Sequence, residues 1–268
     1  MKILEIDIKY LKKYLKEVLD NINRFEHIFL FLDYDGTLVG IKKNPKDAII
    51  SSQHKNLLSR LSDKPETIVT IVTGRTLGDL LKFFKDIDIN RINWIGIHGA
   101  EIKLKCESTF LIQIAEKNLS VIREIKNKVN KIIKDVPCFK IEDKKITFAI
   151  HFRNCLKKDL IYLKEILKIL EKYKKKHPIN YLKMKKVIEV KHRDISKGNA
   201  MIEVKKKYRE LKHSITICIG DDLTDESLFE TNVDGVNIKV GENYPLQTKA
   251  EYFLKDTKEV YEFLEELY

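Results

Sequence analysis

Two aspartates two positions apart, Asp33 and Asp35, close the apolar run from His27 to Leu32 and are followed at once by Gly36 and Thr37. Such a run predicts a buried strand that turns at the glycine. Alternate residues of a strand point the same way, so the two carboxylates crowd into one small space. That crowding is costly unless a proton or a cation is shared between them. Mg²⁺, a hard ion that takes oxygen ligands and leaves room for phosphate and water, meets the need. A plain Asp-Gly turn at a strand end is the structural alternative.

Three further segments add chemistry. The apolar run from Ile68 to Val72 ends in Thr73, Gly74 and Arg75, ahead of a helix expected to open at Leu77, whose N-terminal amides favour an anion. The segment from Asp194 to Ala200 starts an amphipathic helix expected to reach about Leu211 and puts Lys197 in its first turn. A cation is unfavourable at that end of the helix dipole, and a bound phosphoryl group would compensate it. A solvated surface lysine is the alternative. The run from Ile215 to Ile219 ends in Gly220 and then places Asp221, Asp222, Asp225 and Glu226 close together, with Thr224, Asp225 and Glu226 offering N-cap chemistry to the next helix. Open α/β sheets bind ligands at the carboxyl edge of their strands, where these groups could meet around one metal and one phosphate.

The set Asp33-x-Asp35-Gly36-Thr37, Thr73-Gly74-Arg75, Lys197-Gly198 and Gly220-Asp221-Asp222-x-Thr224-Asp225-Glu226, in that order, resembles the phosphatases of the haloacid dehalogenase (HAD) superfamily. Within it the chain is similar to the trehalose-6-phosphate phosphatases, through Tyr34 and Leu38 in the first motif, Gly96 to Glu101, Ala149 to Arg153 and Lys186 to Val190. The resemblance spans about residues 28–256; Phe152 stands where that family more often carries Tyr, and Lys191-His192 where Arg-Pro is commoner. It implies an α/β fold: a HAD-type Rossmann-like core with a parallel sheet and an inserted α+β cap that closes over the site. It also implies Mg²⁺-dependent hydrolysis of trehalose 6-phosphate through an aspartyl-phosphate on Asp33, with Asp35 as general acid and then base. Asp33, Asp221 and the Asp35 carbonyl would hold the ion, with Asp222 or Asp225 completing or orienting the set. Thr73 and Lys197 would neutralise the phosphoryl group, helped by main-chain groups at Gly36, Thr37 and Gly74. Arg75, His98, Glu101, Arg153, Lys186 and Glu189 offer donors and acceptors for sugar hydroxyls, the last three on the cap face. A structural histidine at 98 and a strand-edge acid at 189 are the alternatives there. Another sugar phosphate (of sucrose, mannosylglycerate or glucosylglycerate) or a phosphosugar mutase would use the same chemistry.

The elements that must position these groups follow from periodicity. Residues 8–24 predict a packing helix. Strand 28–32, helix 51–62, strand 67–73, helix 77–86 and strand 93–97 then alternate as parallel βα units. Between 102 and 191 the order changes to short strands near 101–105, 109–114, 146–152 and 187–191, with lysine-rich helices near 116–134 and 157–175. Strands 215–220 and 235–239 and a helix from Thr257 resume the first pattern. The expected division is a core of 1–102 and 193–268, with 1–26 as its N-terminal packing helix, and a cap of 103–192.

At 268 residues, 43% hydrophobic and 34% charged, the chain is globular in composition. It has no long apolar stretch and no signal-peptide core after Met1, which predicts a soluble, cytoplasmic protein. Cys106, Cys138, Cys155 and Cys218 lack metal-type spacing and are expected as free thiols, with no zinc. Net charge is +11, but residues 103–192 hold 24 Lys and Arg against 10 Asp and Glu, or +14, leaving −3 elsewhere. That basic segment could steer a phosphorylated substrate, bind nucleic acid through its charge, or reflect overall Lys-rich composition. The resemblance implies a small-molecule sugar phosphate as partner, and the clustered acids argue against nucleic acid; no membrane partner is expected.

Overall fold

The computed structural model describes residues 8–111, 119–184, 186–241 and 248–268. In chain order the elements are β1 (Lys9–Tyr10), α1 (Leu15–Ile22), β2 (His27–Asp33), α2 (Ser52–Asp63), β3 (Thr67–Val72), α3 (Leu77–Leu80), β4 (Asn93–Gly96), β5 (Glu101–Lys103) and β6 (Thr109–Leu111). There follow α4 (Leu119–Ile133), β7 (Lys140–Asp143), β8 (Phe148–His151), α5 (Leu160–Lys176), β9 (Ile179–Met184) and β10 (Val187–His192). The chain closes with α6 (Lys197–Lys207), β11 (Ser214–Gly220), α7 (Glu226–Thr231), β12 (Val236–Val240), β13 (Tyr252–Leu254) and α8 (Thr257–Glu266). It folds as two units, Met1–Phe110 with Ser196–Tyr268, and Leu111–Ile195.

The first unit is built on a nine-stranded sheet in the order β1-β13-β12-β11-β2-β3-β4-β5-β6. The pairings from β1 to β4 are parallel, and β5 runs antiparallel to β4. Central parallel strands are covered on both faces, which is why β2, β3 and β11 are nearly unbroken apolar runs. Leu30, Leu32, Val69, Ile71, Ile217 and Ile219 are buried, and helices α2 and α8 supply Leu57, Leu58, Leu61, Val260 and Leu264 to the same core. Trp94 fills it beside Phe84 with ring centroids 4.8 Å apart, and donates its indole N–H to the Ile89 carbonyl at 2.8 Å. The chain leaves β2 toward β3 on one side, whereas β11 and β12 extend the sheet on the other. The carboxyl ends of β2 and β11 therefore flank the topological switch point, where such sheets hold their ligands.

The second unit pairs an antiparallel sheet, β7-β8-β10-β9, with α4 and α5. Ile122, Ile125, Val129 and Ile133 recur at helical spacing on α4, as do Ile166, Leu170 and Tyr173 on α5, and these stripes cover Phe148, Ile150, Ile188 and Val190.

Several expectations need correction. The single helix over 8–24 is instead the two-residue strand β1, a 3₁₀ turn Leu11–Lys13 and α1. The strand pairs with β13, itself absent from the sequence reading, and takes Lys9 N–H to the Glu251 carbonyl. The helix over 77–86 is α3 followed by a 3₁₀ turn Leu81–Phe84, and α6 stops at Lys207. Strands β7 and β9 were not expected. β5 and β6, assigned by their sequence to the altered middle segment, extend the first unit's sheet. Expectations on residues 1–7 and 112–118 lie outside the described residues. Cys138 and Cys155 are not free thiols but a disulfide with Cα atoms 4.9 Å apart, while Cys106 and Cys218 are free. Among the described residues no helix is long and apolar enough to cross a membrane.

Candidate active site

Asp33 is the last residue of β2 and is buried. Ser196 caps α6 by accepting from Asn199 N–H at 3.1 Å, which fixes Lys197 as the first helical residue. Lys197 is 2% exposed, and its ammonium donates to Asp33 Oδ1 at 2.6 Å and to Asp225 Oδ1 at 2.7 Å. The unfavourable cation at this helix start is thus compensated by two carboxylates of the chain itself. Carboxylate oxygens of Asp33, Asp221 and Asp225 lie within 4.8 Å of one another.

Two motif glycines make room for these acids. A Cβ on Gly36, whose φ is +93°, would stand 2.1 Å from Asp221 Oδ2, and one on Gly220 would stand 2.2 Å from Asp225 Cγ. Either would displace a carboxylate. Asp222, expected with Asp225 to complete or orient the metal set, has one oxygen engaged: its Oδ1 accepts from the Thr224 N–H at 2.7 Å and hydroxyl at 2.6 Å, and its N–H donates to Asp225 Oδ2 at 3.0 Å. Asp225, expected only to complete or orient the shell, therefore stands inside the carboxylate group with both oxygens engaged.

The electrostatics follow from burial. Burial pushes the Asp33 carboxyl well above its ordinary value against the pull of Lys197, and Asp225, Asp221 and Asp222 add to the rise. Asp221 is pushed up to about 7 by burial and then by Asp222 and Asp225, so near neutrality a proton competes there with any cation. Asp225 is also raised by burial. Burial works on Asp222 in the same sense, but Lys197 and the Thr224 bonds hold it below the usual carboxylate range. Burial opposes the Lys197 charge, yet Asp225 and Asp33 keep its ammonium well above the ordinary lysine value.

Lys239, which no motif marks among 51 Lys and Arg, is also buried here and donates to the Asp222 carbonyl at 3.0 Å. Its only signal in the sequence is a lysine inside the strand Val236–Val240, all five residues of which are buried. Five carboxylates (Asp33, Asp221, Asp222, Asp225 and Glu226) thus stand around two ammonium groups (Lys197, Lys239), a formal excess of three negative charges. That excess adds to burial in raising Asp33 and Asp221, and an all-oxygen donor set that carries it fits one hard divalent cation.

The acid–base candidate follows β2 two residues after Asp33. Arg75 holds Asp35 through Nε to Oδ2 at 2.7 Å and Nη2 to Oδ1 at 2.5 Å. The guanidinium in turn lies over the Tyr34 and Phe83 rings, 5.3 and 5.5 Å from their centroids. Thr73 Oγ1 accepts from Arg75 N–H at 3.1 Å, which leaves the hydroxyl proton to donate. Two of the amides at the start of α3, expected to favour an anion, already have acceptors: Leu77 N–H donates to Glu101 Oε2 at 2.7 Å and Asp79 N–H to Thr76 Oγ1 at 3.1 Å. Gly36 N–H likewise donates to the Val39 carbonyl at 2.7 Å. His98, at φ 53°, is buried with its ring against Gly74, and its N–H donates to the Thr73 carbonyl at 2.9 Å. Thr37 Oγ1 is buried with no hydrogen-bond partner among the described residues.

The trehalose-phosphatase family model matches residues 31–258, most of the chain and every motif just described. The chain belongs to the trehalose-phosphatase family. It is 29% identical over 262 residues to trehalose-phosphate phosphatase B of Arabidopsis thaliana, an alignment covering 92% of this chain and 68% of that protein. Among solved structures it is similar to the C-terminal domain of the C. albicans trehalose-6-phosphate phosphatase, with TM-score 0.81 at 22% identity over 97% of this chain and 98% of that one. A trehalose-6-phosphate phosphatase related protein superposes with TM-score 0.68 at 29% identity over 89% and 96% of the two chains.

In this trehalose-phosphatase family member the remaining expected sugar-binding residues lie in the second unit. Arg153 is exposed in the turn after β8, and Lys186, at φ 65°, is exposed in the turn between β9 and β10. Phe152 N–H donates to the Lys186 carbonyl at 3.0 Å, which ties those two turns together. Glu189 is buried in the central strand β10, not exposed at an edge. Its Oε1 lies 3.5 Å from Thr147 Oγ1 and 3.6 Å from the ammonium of Lys144, a residue that the motifs did not single out.

Proposed function

We propose that this chain is a phosphoric monoester hydrolase that cleaves trehalose 6-phosphate to trehalose and inorganic phosphate with the help of Mg²⁺. The observation that carries the reading is the buried Asp33 at the switch point, 2.6 Å from the Lys197 ammonium and within reach of Asp221. Membership of the trehalose-phosphatase family supports the substrate.

A carboxylate oxygen of Asp33 attacks phosphorus and forms an acyl phosphate as the sugar oxygen leaves. Asp35 gives that oxygen its proton, and then takes a proton from the water that attacks the acyl phosphate, returning Asp33. Arg75, which grips both Asp35 oxygens here, must free one of them before the carboxyl carries that proton. Lys197 and the Thr73 hydroxyl donate to the transferring phosphoryl oxygens, where charge develops. Asp33, Asp221 and the Asp35 carbonyl would hold Mg²⁺, which would supply charge neutralisation and in-line orientation of the phosphoryl group. Asp225, with Lys197 on one oxygen and the Asp222 amide on the other, positions this set. On the second unit the exposed Arg153 and Lys186 offer a guanidinium and an ammonium to sugar hydroxyls.

Phosphate release from a panel holding trehalose 6-phosphate, sucrose phosphate, mannosylglycerate phosphate and glucosylglycerate phosphate tests the substrate. Trehalose 6-phosphate is expected to have the highest kcat/KM, and activity spread evenly over the panel would overturn the assignment. EDTA should stop the reaction and Mg²⁺ restore it. Without substrate, Mg²⁺ at about 100 times its Kd should stabilise the fold by roughly 2.7 kcal/mol, a rise in Tm of several degrees. Metal-independent turnover or an unmoved Tm would contradict the cation site.

A further inference from the structure

Lysine is rarely placed in a parallel strand that is buried throughout, because an unpaired ammonium there loses its hydration. Lys239 nonetheless occupies the register position beside Gly220, where β11 ends, and is 1% exposed. Its ammonium reaches the Asp222 carbonyl at 3.0 Å and lies 3.9 Å from Glu226 Oε1. Glu226 in turn accepts from the Thr248 hydroxyl and from Lys249 N–H, both at 2.8 Å. One buried cation therefore ties three stretches of chain together: the acidic loop after β11, the first turn of α7, and the segment entering β13. With Lys239 in place the Asp222 amide, carbonyl and Oδ1 are all engaged, by Asp225, Lys239 and Thr224 respectively. Asp222 becomes a fixed strut between Asp221, which faces Gly36, and Asp225, which holds Lys197.

We propose that Lys239 is a positioning residue of the divalent-ion site, fixing through the Asp222 carbonyl the loop that presents Asp221 and Asp225. The proposal rests on the reading of those carboxylates as a cation site, and its test needs neither substrate nor turnover. Thermal melts of the native protein and of Lys239→Met are titrated with Mg²⁺ alone. The Mg²⁺ Kd fitted to the rise in Tm with concentration, the half-point of ion binding, is expected to increase roughly tenfold or more in the variant, the loss typical when a group that orients metal ligands is removed. At saturating Mg²⁺ the variant's kcat should stay within about threefold of native, so the defect falls on ion affinity and not on chemistry.

Two results would overturn the proposal. Deleting a positive charge beside carboxylates strengthens their attraction for a cation, so a half-point shifted to lower Mg²⁺ would mean that Lys239 acts only as a charge. An unchanged half-point, with the variant merely melting lower in EDTA, would reduce Lys239 to a prop of the fold. If the Met variant is not recovered folded, Lys239→Gln, shorter and uncharged, is titrated with the same expected shift and the same overturning outcomes. A native protein unmoved by Mg²⁺ would remove the cation site itself, and the proposal with it.

Discussion

Asp33→Asn is expected to lower turnover of trehalose 6-phosphate by about 10⁴-fold or more, the order of loss that follows removal of a covalent nucleophile. The fold should survive. Asparagine has the shape of aspartate, and its carbonyl oxygen can keep the hydrogen bond that Asp33 Oδ1 accepts from Lys197 at 2.6 Å. Its amide cannot form the acyl phosphate. Stability should move in the opposite direction to activity. The Asp33 carboxyl is held well above its ordinary 3.8 chiefly by burial, so at pH above 3.8 folding must either keep a proton on it or bury its charge, and either costs stability. The neutral side chain removes that cost, and in EDTA near pH 7 the variant should melt no lower than the native protein. Phosphate release and a thermal melt on one preparation check both halves. Substantial turnover by the folded variant would remove Asp33 as nucleophile.

Lys197→Met should fail in a different way. The ammonium is the common partner of Asp33 and Asp225 at 2.6 and 2.7 Å, and both carboxylates are buried. Loss of one charge-assisted donor to the phosphoryl group is expected to lower kcat by roughly 10²–10³-fold. Breaking a buried ion pair from one side typically costs about 3–5 kcal/mol, because the charges left behind have no counter-ion. The loss should depend on pH, with a sign set by Asp33 and Asp225, both raised in the folded state. An unfolded aspartate releases its proton near 3.8, whereas these folded carboxyls keep theirs to higher pH, so stability falls as pH rises through that interval. Without Lys197 the folded values climb further. The stability gap between variant and native should therefore widen from about pH 5 to about pH 8 when measured by urea denaturation in EDTA. A gap of equal size at both would show that the pair is not the source of the loss.

The parts legible in the sequence are those whose physics is local. Parallel strands buried on both faces must be unbroken apolar runs, so β2, β3 and β11 could be placed from composition, and Gly36, Gly74 and Gly220 mark where they end. The strands passed over are the short or polar ones. β1 has two residues and β13 three, β7 is Lys-Ile-Glu-Asp with a single apolar residue, and β9 carries Asn180 and Lys183 among its apolar residues in a Lys-rich chain. Motif order singled out Asp33, Asp221 and Asp225, whose carboxylates lie together, but their partners came only from tertiary structure. Asp35 meets Arg75 across 40 positions, and Lys197 meets Asp33 across 164, separations at which no periodicity operates. For the same reason the lysine at a helix start suggested a phosphate, whereas the chain supplies two carboxylates, and Glu101 takes the first amide of α3. Lys239 and the Cys138–Cys155 disulfide were hidden too. The one is a lysine among many, and the other joins the turn after α4 to the turn after β8, a closeness that sequence spacing alone does not report.

The claim at the centre is that the phosphoryl group passes through the carboxylate of Asp33. Quenching the native enzyme during turnover of trehalose 6-phosphate, reducing it with borohydride and mapping its peptides by mass spectrometry tests that directly, since reduction converts an aspartyl phosphate to homoserine. The account predicts homoserine at position 33, absent without substrate and absent from Asp33→Asn. Homoserine at position 35 instead, or brisk phosphate release with position 33 unmodified under every quench time, would contradict it.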